Sequence, residues 1–226
     1  TAISYQVLSN FANDYGDGIL GTDDNRIGPK RSIASGEISP PKLKKAILIN
    51  IFISISLSYF LIKYSFGTNY YLLLIFLILS VFSIVAAIKY TMGKSPYGYK
   101  GLGDIFVFIF FGLVSVMGSS FLYSLKLDFN LLLIAISLGF FCVGVLNLNN
   151  IRDIENDTKM KKKTIPTRIG FKLSKYYHKF LIVMPFVLTI IWSNQFLIYD
   201  YAINGSDNVK ENLEISYNHF LIILAL

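Results

Sequence analysis

Charge is what this chain has least of. Only 15% of its 226 residues are Asp, Glu, Lys or Arg, against 54% hydrophobic, whereas a soluble domain usually carries about 25% charged residues. The deficit is concentrated: residues 46–62, 70–88, 105–125, 129–146 and 180–199 contain no Asp, Glu, Lys, Arg or His. Each run approaches the roughly 20 apolar residues that cross a bilayer core. A soluble globular domain is thereby excluded, and five full membrane spans are predicted. Alternation with a period of two is lacking over useful lengths, which excludes a membrane β-barrel. Cys142 is the single cysteine and lies in an apolar run, so an intrachain disulfide is excluded and small-residue packing is left to it. An initiator Met is also lacking; residues 1–13 read as the last turns of a helix already under way, and residues 220–226 as an apolar run cut short. The expected architecture is all-α, a polytopic membrane helical bundle forming one domain over 1–226, truncated at both ends, with five full spans and two partial ones.

The charge that is present has a pattern. The net charge is +7, a value that could suggest nucleic acid, but its distribution argues against such a partner. Lys and Arg number 6, 3 and 9 in segments 14–45, 89–104 and 149–179, while the intervening segments hold only Lys63, Lys126 and Lys210. Basic-rich and basic-poor segments alternate along the chain, as they must on opposite sides of a membrane. The positive-inside rule makes the rich side cytoplasmic, and the basic residues set topology first and bind anions second.

Two long polar segments resemble each other. The first carries Asn10, Asn13, Asp14 and Asp17, then Arg26-Ile27-Gly28; the second carries Asn147, Asn149, Asn150, Asp153 and Asp157, then Arg168-Ile169-Gly170. Four full spans separate them. Four crossings return a chain to the face it left, so both acidic clusters belong to one side of the membrane. Positions 10, 13, 14 and 17, like 153 and 157, fall at helical spacings of three and four and are read as one face each. Carboxylates one turn apart at a low-dielectric border repel and need compensation. Magnesium takes oxygen ligands, commonly one or two carboxylates plus substrate phosphates, so two facing sets suit two ions with a diphosphate between them. The plain alternative is helix capping and solvated loop acids. Arg26, Lys30 and Arg31 follow the first acids, and Lys159, Lys161, Lys162, Lys163 and Arg168 the second. Some fit a phosphate clamp, whereas topogenic charge accounts for most of the 161–163 run. Arg152, embedded among the acids, is suited to neutralising them. In the 90–104 connection, Tyr97 and Tyr99 read either as interfacial anchors or as part of a lid with Lys94 or Lys100.

At this point the sequence resembles a family. Asn10-Phe-Ala-Asn-Asp-Tyr-Gly-Asp17, with Gly21-Thr-Asp23 and Arg26-Ile-Gly-Pro29, is similar to the first signature of the UbiA-type prenyltransferases. Pro96-Tyr-Gly-Tyr99, Gly101-Leu-Gly-Asp104 and Phe110-Phe-Gly112 resemble the middle signature of the branch that acts on 1,4-dihydroxy-2-naphthoate in menaquinone biosynthesis. Asn149-Asn-Ile-Arg-Asp-Ile-Glu-Asn-Asp157, Lys163-Thr164 and Arg168-Ile-Gly170 resemble its second acidic motif. Superfamily members often carry a third Asp where this chain has Gly21, and Asp23 or Asp24 is the substitute.

The resemblance implies about nine transmembrane helices around a central cavity in the complete enzyme. It implies transfer of a polyprenyl group from its diphosphate to the naphthoate, giving demethylmenaquinone, with Mg2+ as cofactor. Asn13, Asp14, Asp17, Asp23, Asp153 and Asp157 would hold the metal; Asp17, Asp153, Asp157 and Arg26 would carry catalysis. Lys30, Arg31, Tyr97, Tyr99, Arg152, Lys163 and Arg168 would bind substrate. The partners implied are polyprenyl diphosphate, an aromatic acid and membrane lipid, with no nucleic acid and no protein partner. The location implied is the inner (cytoplasmic) membrane, with the active site toward the cytoplasm. Three rivals remain: the same chemistry on 4-hydroxybenzoate, a CDP-alcohol phosphotransferase and a divalent-cation transporter. The phosphotransferase would need four acids in one compact motif with an Ala-Arg pair, which is not found. The transporter would place acids at the bilayer midplane, where the spans have none.

Overall fold

A computed structural model describes the backbone of residues 1–23 and 31–204, with side chains through residue 195. Among these residues every regular element is helical: α1 (Ala2–Ile19), α2 (Pro40–Phe66), α3 (Tyr70–Lys89), α4 (Gly103–Val107), α5 (Ser115–Ser124), α6 (Leu132–Arg152), α7 (Ile154–Lys159) and α8 (Ile165–Asn204). Asp24, Arg26, Lys30 and the apolar run at 220–226 lie outside the described residues.

Five helical stretches are long and apolar enough to cross a membrane: Pro40–Phe66, Tyr70–Lys89, Gly103–Ser124, Phe129–Arg152 and Ile165–Gln195. Their outward faces confirm the environment. Phe52, Phe60, Leu74 and Phe82 are 73%, 68%, 58% and 58% exposed, a surface that only lipid can cover at this extent. The chain is therefore a multi-pass membrane protein. The fifth span starts earlier than the uncharged run 180–199 predicts, because Lys172, Lys175 and Lys179 continue the helix; long cationic side chains at a membrane border extend to water without breaking it.

Local chemistry sets the turns between spans. Pro40 opens α2, where its missing N–H costs nothing. Gly67 closes α2 at φ 57, and Lys63 Nζ donates to the Gly67 carbonyl at 2.8 Å. Asn69 then caps α3 by accepting from the Leu72 N–H at 3.2 Å.

The third span consists of α4, a π-helical stretch at Phe108–Val114 and α5. Gly112 lies in that stretch, and a Cβ there would come within 2.6 Å of the Gly139 Cα on α6. Small residues on both sides bring the backbones together, as is common between helices in lipid. Leu8, Ile47 and Ile84 join α1, α2 and α3 in a small apolar core. Below it Tyr5 Oη bonds Ser58 Oγ at 2.9 Å and also Ser80 Oγ, tying the three helices by polar contacts. Gly170, at φ 80 and ψ 166, bends α8 near its start. The result positions the C-terminal end of α1 and the junction of α6 and α7 at one end of the bundle.

Candidate functional site: two acidic helix ends at one cavity

Helix α1 runs without interruption to Ile19, so Asn13 and Asp17, four residues apart, share a face. Gly16 permits that face to settle against the following connection: a Cβ at Gly16 would meet the Thr91 carbonyl at 2.6 Å. Thr91, buried, donates to the Ala12 carbonyl at 2.9 Å and lies 3.3 Å from Asn13 Oδ1. Asp14 is rotated away by about 100°. Its Oδ2 accepts the Ser32 N–H at 3.2 Å, and it does not line the cavity.

The second acidic segment is built differently. Helix α6 ends at Arg152, Asp153 takes φ −93 and ψ 8, and the short α7 carries Asp157. Arg152 grips its neighbour with two bonds, Nε to Asp153 Oδ1 and Nη2 to Asp153 Oδ2, both 2.7 Å. After α7 the chain turns through Lys161 in the left-handed region, φ 56. The Lys162 N–H donates to the Asp157 carbonyl at 2.8 Å, and the Lys163 N–H to the Tyr99 carbonyl at 3.0 Å. This closed turn, a cap of the kind glycine usually makes, aims Lys162 inward. Its Nζ lies 3.7 Å from Asp17 Oδ2 and 3.9 Å from Asp157 Oδ1, and 5.0 Å from the centre of the Tyr99 ring.

The two ends border a partly open cavity of about 110 Å³. Asn13, Asp17, Thr22 and Asp23 line it from the first segment, and Asn149, Asn150, Asp153, Asn156 and Asp157 from the second, with Arg31, Tyr90, Leu146 and Lys162 completing the wall. The segments are also joined directly, by Asn156 Nδ2 donating to the Thr22 carbonyl at 2.6 Å. Tyr99 Oη donates to Asp17 Oδ1 at 2.7 Å and shares a 2.6 Å bond with Thr22 Oγ1. Burial first, then the charge of Asp17, raises the Tyr99 hydroxyl well above its ordinary pKa. Tyr90 is raised by burial and by the charges of Asp17, Asp104 and Asp157. Both phenols stay protonated, and that of Tyr99 donates to Asp17.

The donors facing the cavity are carboxylate, amide and hydroxyl oxygens, the set that a hard cation takes. Among the described residues no group of three or more His, Cys, Asp or Glu is arranged to hold a metal ion by itself. Oxygen donors of this kind suit a hard cation only if further oxygens, such as those of a phosphate, complete its shell.

Of the residues singled out in the sequence, Asn13, Asp17, Asp23, Arg31, Asp153 and Asp157 meet at this cavity, with Tyr99 and Arg152 bonded to its acids. Others are placed elsewhere. Tyr97 Oη donates to the Ala86 carbonyl at 2.8 Å, Arg168 Nη2 donates to the Lys100 carbonyl at 2.6 Å, and the Lys163 side chain is exposed. Thr22, Tyr90, Leu146 and Asn156 of the wall were given no role by the sequence reading, and Lys162 was not told apart from its neighbours. Thr22, Tyr90 and Asn156 carry no periodic or acidic signal, and Lys162 is one of three successive lysines that differ only through the turn.

A family model described as "UbiA prenyltransferase family" matches residues 1–204. The chain is 45% identical over 183 residues to a 1,4-dihydroxy-2-naphthoate octaprenyltransferase of Haemophilus influenzae, covering 80% of this chain and 59% of the relative. It is 41% identical over 194 residues to the protein of that name in Escherichia coli, covering 85% and 63%, and 36% identical over 190 residues to that of Mycobacterium leprae, covering 84% and 62%. The chain thus spans about three fifths of the length of these relatives. No solved structure matches it.

Proposed function

The chain belongs to the UbiA prenyltransferase family, and from that premise we propose that it transfers a polyprenyl group from its diphosphate to 1,4-dihydroxy-2-naphthoate, giving demethylmenaquinol, the hydroquinone form of demethylmenaquinone. The observation that carries this reading is the meeting of two oxygen-rich helix ends at one cavity, Asn13 and Asp17 opposite Asp153 and Asp157. The names borne by the relatives at 36–45% identity support the choice of acceptor.

In the reaction the allylic C–O bond breaks, the diphosphate departs with the electron pair, a ring carbon attacks the allylic cation, and the ring loses its carboxylate as carbon dioxide. Magnesium, held by Asn13, Asp17, Asp153 and Asp157 with Asp23 nearby, would neutralise the diphosphate and improve it as a leaving group. Arg31 and Lys162 face the same space and stabilise the charge that collects on the departing oxygens. Asn150 and Asn156 offer amide donors to those oxygens. Tyr90 and Leu146 form the apolar part of the wall, and substrate filling the cavity would have to exclude the remaining water for a carbocation to reach the ring. The flanking spans let the prenyl tail remain in lipid. By the positive-inside rule the cavity opens toward the cytoplasm, with the protein in the inner membrane.

A competition assay tests the reading, with 1,4-dihydroxy-2-naphthoate and 4-hydroxybenzoate at equal concentration and one prenyl diphosphate donor. The prenylated naphthoate is expected to dominate, and its formation is expected to stop when divalent cation is chelated. A preference for the single ring would overturn the acceptor, while turnover in excess chelator would overturn the metal.

A further inference from the structure

The ammonium of Lys162 sits between the two carboxylates that the proposed metal needs most. Its distances are 3.7 Å to Asp17 and 3.9 Å to Asp157, and the three side chains are only 11%, 12% and 3% exposed. So little water screens these charges that the attraction is far stronger than at a surface. Arg152 meanwhile takes both oxygens of Asp153. Three of the acids lining the cavity are thus matched with cations of the protein itself. A bare divalent ion entering the cavity must expel Lys162 from between its partners. A divalent ion carrying a diphosphate brings anionic oxygens of its own, and these can receive the displaced ammonium.

We propose that Lys162 is a tethered cation that holds the affinity of the site for free divalent metal low, so that metal is taken up together with diphosphate and not before it. The inference rests on the metal reading given above. Three features of the chain hold the lysine at this task. Lys161, in its left-handed conformation, turns residue 162 inward. The Lys162 N–H bonded to the Asp157 carbonyl ties the lysine to the helix whose acid it neutralises. The Tyr99 ring beneath the ammonium offers a π-face that favours a cation, while the hydroxyl of the same residue holds Asp17. Lys162 therefore acts through the carboxylates, as a positioning residue for metal uptake.

Binding of Mn2+ to the purified protein in nanodiscs, followed by electron paramagnetic resonance with and without inorganic diphosphate, tests this without turnover. The wild type is expected to bind Mn2+ weakly alone and at least about tenfold more tightly with diphosphate present. Lys162→Met is expected to tighten binding of Mn2+ alone by about tenfold and to erase most of the synergy, since an uncompensated pair of buried acids welcomes a cation. Lys162→Arg is expected to retain the wild-type pattern. Unchanged or weaker binding of Mn2+ alone by a folded Lys162→Met protein would overturn the proposal. So would wild-type protein that binds Mn2+ equally well with and without diphosphate, a result independent of whether the variant folds. That second outcome leaves the metal reading intact, whereas absence of any Mn2+ binding with diphosphate present overturns both.

Discussion

Asp17 and Asp157 each stand four residues after another oxygen donor, Asn13 in one case and Asp153 in the other, yet beyond the Lys162 they share the two segments are held differently. The first is one unbroken helix whose acid is steadied by a neutral donor, the Tyr99 hydroxyl, and by a share of the Lys162 ammonium. The second is broken at Asp153, and its acids are steadied by cations, Arg152 on Asp153 and Lys162 on Asp157. The lesson is that equal spacing does not give equal electrostatics. An Asn–Asp pair carries one negative charge, and one hydrogen bond with a share of the Lys162 cation meets it. An Asp–Asp pair carries two, and a low-dielectric border demands positive charge nearby.

The sharpest way to break this comparison is to neutralise one acid at each end. Asp17→Asn and Asp157→Asn are both expected to lower prenyl transfer by about 10²–10³-fold, as removal of a charge that stabilises the transition state does. Asp14→Asn, on the same helix but turned to Ser32, is expected to cost only a few-fold, about 1 kcal/mol or less. Initial rates in membranes adjusted for protein content decide this, and equal losses for Asp14 and Asp17 would defeat the assignment of faces on α1.

The neutral support of Asp17 is expected to matter less than the acid. Tyr99→Phe should lower the rate about tenfold and stability by roughly 1.5–3 kcal/mol, the worth of one hydrogen bond to a charged group. The same residue gives a pH signature. Because the Tyr99 pKa lies above its ordinary value of 10.0 when folded, the folded protein retains a proton that the unfolded chain loses. Stability is then indifferent to this group below about pH 9 and falls as pH rises past the unfolded value. Melting temperatures across this range are expected to decline less steeply in Tyr99→Phe than in the wild type.

The smallest effect concerns the turn that delivers Lys162. Lys161→Gly removes a side chain from a left-handed position, relieving roughly 1 kcal/mol of steric cost, part of which returns as extra backbone freedom in the unfolded chain. A rise of a degree or two in melting temperature with unchanged turnover is expected. A fall in melting temperature would mean that the lysine side chain itself supports the turn.

Much of this arrangement is legible along the chain. The uncharged runs mark all five spans, because a polar backbone in lipid must close its hydrogen bonds within a helix and charged side chains are costly there. Counting spans brings the acids of the two segments to one side, and the cavity they share has the same parity. What the chain conceals is direction. Tyr97 and Tyr99 are equivalent in a string of Gly, Tyr and Lys, but one hydroxyl turns back to Ala86 and the other forward to Asp17. Asn13 and Asp14 are adjacent, and only the rotation of α1 against Thr91 separates cavity from loop.

The sequence by itself determined that this is a multi-pass helical membrane protein with two acidic segments on one face, because hydrophobic runs and the parity of crossings depend on composition and order alone. Tertiary structure alone decided which cation serves the acids. Lys161, Lys162 and Lys163 are chemically identical, and a single left-handed residue sends the middle one between Asp17 and Asp157. A turn pinned by the Lys163 N–H bond to the Tyr99 carbonyl has no counterpart in the order of the letters, for it depends on where a distant segment comes to rest.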